Sequence, residues 1–266
     1  MAPHVAGSVL TDWCVRNPNL RWPVELPESL RGRRVAAVGR RGKYLLLEFV
    51  GGGALIVHLG MSGSLRVIGL PGNPPRKHDH VDLIFGQQML RLNDPRRFGS
   101  IHWQPEPVQE HWLLAALGPE PLSDDFTGPY LKARARGKRV AVKNLIMDSH
   151  VVVGVGNIYA NEALFLSGLR PTLRASRITH LGYARLVDAI KRVLAQAIDM
   201  GGTTLRDFVN QDGNPGYFKQ SLNVYGRQGE PCRVCETPLR GLRTAARATV
   251  FCPKCQSPQG FSGHEC

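Results

Sequence analysis

Lys43-Tyr-Leu-Leu-Leu-Glu-Phe-Val50, Gly51-Gly-Gly53 and Ala54-Leu-Ile-Val-His-Leu59 decide the fold class of this chain. Two apolar runs this short, parted only by glycines, read as antiparallel strands joined by a tight loop. Working outward, Val81-Asp-Leu-Ile-Phe85 and Gln88-Met-Leu-Arg-Leu92 flank a second tight connection at Gly86-Gln87, and Gly69–Pro75 is a loop. Short strands from Val35 to about His102 predict a sandwich or barrel-like packing of antiparallel sheet.

The punctuation changes at Leu117-Gly-Pro-Glu-Pro121, which can continue neither strand nor helix and marks a hinge. Beyond it, Pro129–Ala135 and Ala141–Asp148 have helical composition, and Asn157–Leu166 has near-helical apolar spacing with Asn157 as its expected cap. Tyr183–Met200 places Leu186, Ile190, Val193, Leu194 and Ala197 on one face, and Gly201-Gly202 ends it. A helical domain therefore follows a sheet domain.

Lys and Arg number 34 against 21 Asp and Glu, a formal charge of +13 that makes nucleic acid the leading partner over an anionic membrane surface. No apolar run approaches the length of a membrane span, so no membrane association is expected. The first ten residues show no signal peptide, and a cytoplasmic address is the expectation. Gly154-Val-Gly156 lacks the third glycine and the preceding strand of a dinucleotide loop.

The strongest chemical signal is Cys232-x2-Cys235, sixteen residues, then Cys252-x2-Cys255. Two such knuckles supply four thiolates for a tetrahedral, closed and therefore structural zinc. Arg233, Arg240, Arg243, Arg247 and Lys254 on the same module suit phosphate contact or a solubilising face. Cys14 is expected as a core thiol and Cys266 as a terminal one. Arg134, Arg136, Lys138, Arg139 and Lys143 form a basic run that also suggests phosphate binding.

Together these motifs resemble the formamidopyrimidine-DNA glycosylase family of base-excision repair enzymes. The resemblance is carried by Arg41-Gly-Lys-Tyr-Leu-Leu, His58-Leu-Gly-Met-Ser-Gly-Ser-Leu-Arg66, Lys77-His-Asp-His-Val-Asp82 and Asp94-Pro-Arg-Arg-Phe-Gly99. Gly154–Glu162, Gly201–Leu205, Gly216-Tyr-Phe218 and the four-cysteine module extend it in the family's order. It implies a multidomain α+β protein: an N-terminal antiparallel β-sandwich with its first helix truncated (1–117), a linker (118–125), a helix–two-turn–helix domain (126–220), a zinc-finger β-hairpin (221–257) and a tail (258–266). It also implies a monomer acting on damaged or abasic double-stranded DNA, with one structural zinc and no organic cofactor. The activity implied is release of 8-oxoguanine and formamidopyrimidines, then nicking of the abasic site by β,δ-elimination.

Residue by residue, the resemblance makes Lys43 the lysine that assists base release and Arg247 the finger arginine that grips the lesion phosphate. Met61, Arg96 and Phe98 fill the gap left by the extruded base, with Arg96 facing the orphaned cytosine. His78, Arg96, Lys138, Asn157 and Lys143 contact DNA, and Gly216, Tyr217 and Phe218 belong to the loop over the lesion. Without the resemblance, Met61 and Phe98 read as core residues and Lys43 as a solvent-facing edge lysine. The family's opening Pro-Glu is not matched by Met-Ala-Pro-His-Val-Ala-Gly7, and His4–Gly7 corresponds to the end of the first helix. The activity of this chain is therefore expected to be reduced or absent, with two expectations side by side: a glycosylase and lyase, or a lesion-binding protein with impaired or no catalysis.

Overall fold

The computed structural model describes residues 2–201 and 222–257. It is a multidomain α+β structure in two compact units, the first running through Ala116 and the second beginning at Leu117.

The first unit opens on α1 (Ala2–Val5), whose Val5 is fully buried, and on Gly7, whose N–H donates to the Val35 carbonyl. The strands are β1 (Asp12–Val15), β2 (Val35–Arg41), β3 (Tyr44–Phe49), β4 (Ala54–His58), β5 (Ser64–Gly69), β6 (Asp79–Phe85), β7 (Gln88–Asn93) and β8 (Ser100–Gln104). They form two antiparallel sheets, ordered β1-β6-β7-β5 and β2-β3-β4-β8. The glycine-linked pair expected from the sequence is β3–β4, with Leu45 opposite Val57 and Leu47 opposite Leu55.

One core joins the sheets. Leu47, Phe49, Leu55, Val57 and Ile101 from one meet Leu65, Val81, Leu83, Phe85, Leu90 and Leu92 from the other. This is a sandwich rather than a barrel. Period-two alternation also corrects one expectation. Trp13 and Val15 pack on the core, so Cys14 between them faces outward and is exposed. On the same outer side, Arg91 pairs with Asp82 at 2.8 Å and Arg16 joins them. Burial pushes Asp82 up, but hydrogen bonds from Arg91 and Arg16 outweigh it and hold the carboxyl below its usual range. Elsewhere in this unit, Trp22 meets Trp112 edge-on at 4.9 Å, His102 and His111 pack against them, and the Arg21 guanidinium lies 4.4 Å over Trp22.

The second unit contains α2 (Gly128–Ala135), α3 (Val142–Ile146), α4 (Asn157–Leu166), α5 (His180–Asp199) and the hairpin β9 (Arg240–Thr244)–β10 (Arg247–Phe251). Thr127 caps α2 by accepting from the Tyr130 N–H, and Thr179 caps α5 by accepting from the Gly182 N–H. The α5 face read from the sequence is buried, and Gly201 follows its end with φ +72°. Gly128 lets α2 approach α5 closely, since a Cβ there would sit 3.0 Å from the Ala184 backbone.

Residues 118–125, expected as a linker, are hydrogen-bonded into this unit: Gly118 N–H donates to Ser149, Val153 N–H to Pro119, and the Lys191 ammonium to the Ser123 carbonyl. The helices and finger, expected as separate domains, share the same compact unit. Among the described residues no helix is long and apolar enough to cross a membrane. The tail 258–266 and Cys266 lie outside the described residues.

Candidate functional site

In the first unit, residues expected to meet DNA converge from several loops. Lys43 is exposed in the Gly42-Lys43 turn between β2 and β3. Its charge reaches His58 at the end of β4, which is followed by the Leu59–Gly63 loop carrying Met61. Burial, then the charges of Lys43 and Arg21, lower the His58 pKa. Geometry points the same way: His58 Nδ1 accepts the Gly60 N–H at 3.1 Å and must be unprotonated to do so.

Met61 is 67% exposed and Phe98 43% exposed, which selects the loop reading over the core reading for both. Arg97 sits at φ +55°, and the Arg96 guanidinium stacks 4.6 Å from the Phe98 ring centroid. The loops touch: a Cβ on Gly60 would lie 2.6 Å from the Phe98 carbonyl carbon. Asp94, fully buried, accepts from the Gly99 N–H at 2.7 Å and the Ser62 hydroxyl at 3.3 Å. Its own N–H donates to the backbone carbonyl of half-buried His78, so that residue's backbone is tied to the same centre. Sequence reasoning missed Asp94, although Asn-Asp-Pro is a turn signal with a side chain suited to binding nearby backbone.

In the second unit, Asn157, Lys143 and Arg247 come together, with two roles changed. The N-cap of α4 is Gly156, and no side chain caps it. Asn157 is instead the first helical residue, and its Nδ2 donates to the Ala248 carbonyl of the finger at 3.1 Å. One turn on, Asn161 Oδ1 accepts the Val250 N–H, so two asparagines on one face of α4 hold alternate residues of β10. Lys143 is a larger correction. It is completely buried, and its ammonium donates to the Ala248 carbonyl at 2.9 Å and Thr249 Oγ1 at 2.7 Å. A side chain enclosed in this way anchors the finger and is not presented to a phosphate. Burial and the nearby Arg247 guanidinium lower its pKa to about 8. Arg247 itself is exposed. Lys138 is exposed in the turn after α2, within electrostatic reach of Asp148. Gly216, Tyr217 and Phe218 lie outside the described residues.

The finger is fixed by groups that composition did not reveal. Glu162, almost fully buried on α4, accepts the N–H groups of Asn223, Val224 and Tyr225 and the Asn223 side-chain amide. Gln256, fully buried, accepts the Cys252 N–H and donates to the Leu169 carbonyl. The sulfurs of Cys232, Cys235, Cys252 and Cys255 all lie within 4.8 Å of one another. A tetrahedral zinc with bonds of about 2.3 Å needs sulfurs roughly 3.8 Å apart, so the four fit one structural zinc and leave no open position.

Comparison with known proteins covers 96% of the chain. Residues 1–101 match the formamidopyrimidine-DNA glycosylase N-terminal domain, 117–209 the H2TH domain of that protein, and 229–258 the zinc finger found in FPG and IleRS. The formamidopyrimidine-DNA glycosylase of Methylococcus capsulatus is 58% identical over 259 residues, covering 96% of this chain and 95% of the relative. That of Marinobacter nauticus is 55% identical over 259 residues, with the same coverage of both. Among solved structures, the MutM (Fpg) protein of Thermus thermophilus superposes with a TM-score of 0.86 at 38% identity, covering 96% of this chain and 93% of that one. The Lactococcus lactis Fpg in complex with abasic-site DNA superposes with 0.88 at 30% identity, covering 96% and 94%.

Proposed function

Because the chain belongs to the formamidopyrimidine-DNA glycosylase family, we propose that it removes 8-oxoguanine and formamidopyrimidines from duplex DNA and nicks the abasic site by β,δ-elimination. The observation that supports this reading is that the loop bearing Met61 abuts the loop bearing Arg96 and Phe98, while the Lys43 charge acts on His58 at the base of the Met61 loop.

A base cannot be excised inside the stack, so it must be swung out and its place filled. Exposed Met61 and Phe98 supply the apolar wedge, and Arg96 supplies donors for the unpaired cytosine. Lys43 assists departure of the base and the β-elimination that follows. His78, Lys138 and Asn157 hold phosphates. Asn157 retains a second amide hydrogen and its own backbone N–H at the positive end of α4 for that contact. Arg247 grips the phosphate of the lesion and assists δ-elimination. Zinc contributes rigidity to the finger that presents Arg247, and no chemistry.

Borohydride trapping on an 8-oxoguanine duplex and on an abasic duplex tests the reaction, with binding measured from 50 to 200 mM salt. Covalent adducts on both duplexes are expected, through an imine that the Lys43 amine forms at the sugar C1′ as the base leaves the 8-oxoguanine nucleotide or water leaves the abasic aldehyde, and affinity for abasic duplex should exceed that for intact duplex. Affinity should fall about a thousandfold over that salt range if about six phosphates are neutralised. Equal affinity for abasic and intact duplex would refute the damage-specific reading. Tight lesion binding without trapping would leave a lesion-binding protein in place of the enzyme.

A further inference from the structure

We propose that Asp94 is a positioning residue that clasps the Met61 loop to the Arg96–Phe98 loop, so that the wedge and the base-reading arginine enter DNA as one preformed unit. The inference rests on the gap-filling reading of Met61, Arg96 and Phe98 given above.

Asp94 is fully buried yet touches both loops through different atoms. One carboxylate oxygen takes the Ser62 hydroxyl, next to Met61, and the other takes the Gly99 N–H, next to Phe98. Its backbone closes the rest of the junction: the carbonyl accepts the Arg97 N–H at 3.2 Å and meets His80 Nε2 at 2.9 Å. The fit tolerates no slack. Gly60, at φ +66°, lies against the Phe98 and Gly99 backbone, and a Cβ on Gly99 would come within 2.7 Å of the His58 carbonyl. A loop pair held this way cannot place Met61 independently of Arg96. Two exposed loops that had to be ordered at the moment of binding would bind more weakly than a preformed pair.

The clasp is tested with the full chain and duplexes carrying a tetrahydrofuran abasic analogue opposite cytosine or adenine. Asp94→Ala and Ser62→Ala should weaken binding opposite cytosine and narrow the cytosine-over-adenine preference, about tenfold and about fivefold respectively. Asp94→Asn should retain most of the preference, because its carboxamide can accept from Gly99 and donate to the Ser62 oxygen. Gly60→Ala, which forces the loops apart without touching the carboxylate, should reproduce the Asp94→Ala effect and carries the test if Asp94→Ala does not fold. Folded Asp94→Ala and Ser62→Ala proteins with lower melting temperatures but an unchanged preference would overturn the proposal. Arg96→Ala separates the clasp from the reading beneath it. A narrowed preference in Asp94→Ala with none in Arg96→Ala would keep the clasp and refute the role of Arg96, whereas no change in either refutes both.

Discussion

Lys143 shows how far a side chain's surroundings can redirect its chemistry. Its ordinary pKa of 10.5 falls to about 8 in the folded protein. Below pH 8 the lysine is charged in both states, and the folded state carries the full cost of burying that charge. Between pH 8 and 10.5 the folded lysine is neutral while the unfolded one still holds its proton, so stability rises with pH through that window. The rise attributable to Lys143 should be about 3 kcal/mol at most, from the conversion of a pKa difference to free energy. Chemical unfolding of the wild type and of Lys143→Met across pH 7–10.5, both zinc-loaded, should show this slope in the difference between them. A flat difference would mean that the ammonium is not penalised. The sequence displays Lys143 as the last cation of a basic run, and charge runs carry no sign of which member the fold encloses. Asn157 and Asp94 are obscured for a related reason: the partner of Asn157 lies on the finger and one partner of Asp94, Ser62, lies on another loop, both far along the chain.

At the scale of elements, what was legible depended on repetition. The long α5 repeats its apolar period often enough to declare a face, which is buried, and the β3–β4 and β6–β7 pairs declare themselves as short apolar runs parted by tight connections. Strand β1 spans four residues and pairs on one side only, too little for a pattern, so the sequence does not show that Cys14 faces outward. Helix α3 is shorter than its composition promised. The finger hairpin turns through Ala245 and Ala246 at φ +47° and +61°, a conformation that favours Asn-Gly. Ala246→Gly should therefore stabilise the zinc-loaded second unit by about 1 kcal/mol, since a Cβ in the left-handed region costs roughly that much. Its thermal transition should move upward while that of the first unit stays put. A downward shift would show that the turn relaxes when the Cβ is removed.

Over the whole molecule, metal and helices stabilise one another. The finger meets the helices through Asn161–Val250, Lys143–Ala248 and Gln256–Leu169, and residues 223–225 are held by Glu162. Removing zinc loosens the thiolate cluster and leaves buried Lys143 and Glu162 short of partners, so a chelator should lower the melting temperature of the second unit as a whole. The sandwich shares none of these groups and should melt as before. The aromatic arrangement of the first unit makes that asymmetry visible in light. All four tryptophans, Trp13, Trp22, Trp103 and Trp112, lie before Leu117, and none lies in the second unit. Excitation at the red edge of protein absorption thus sees only the sandwich. Chelation should move the thermal loss of helical ellipticity to lower temperature while the emission transition stays in place, and a matching shift of the emission transition would mean that loss of metal is felt across the domain boundary. The exposed Trp112, edge-on to the Trp22 that Arg21 covers, gives the sandwich a built-in optical reporter needing no dye.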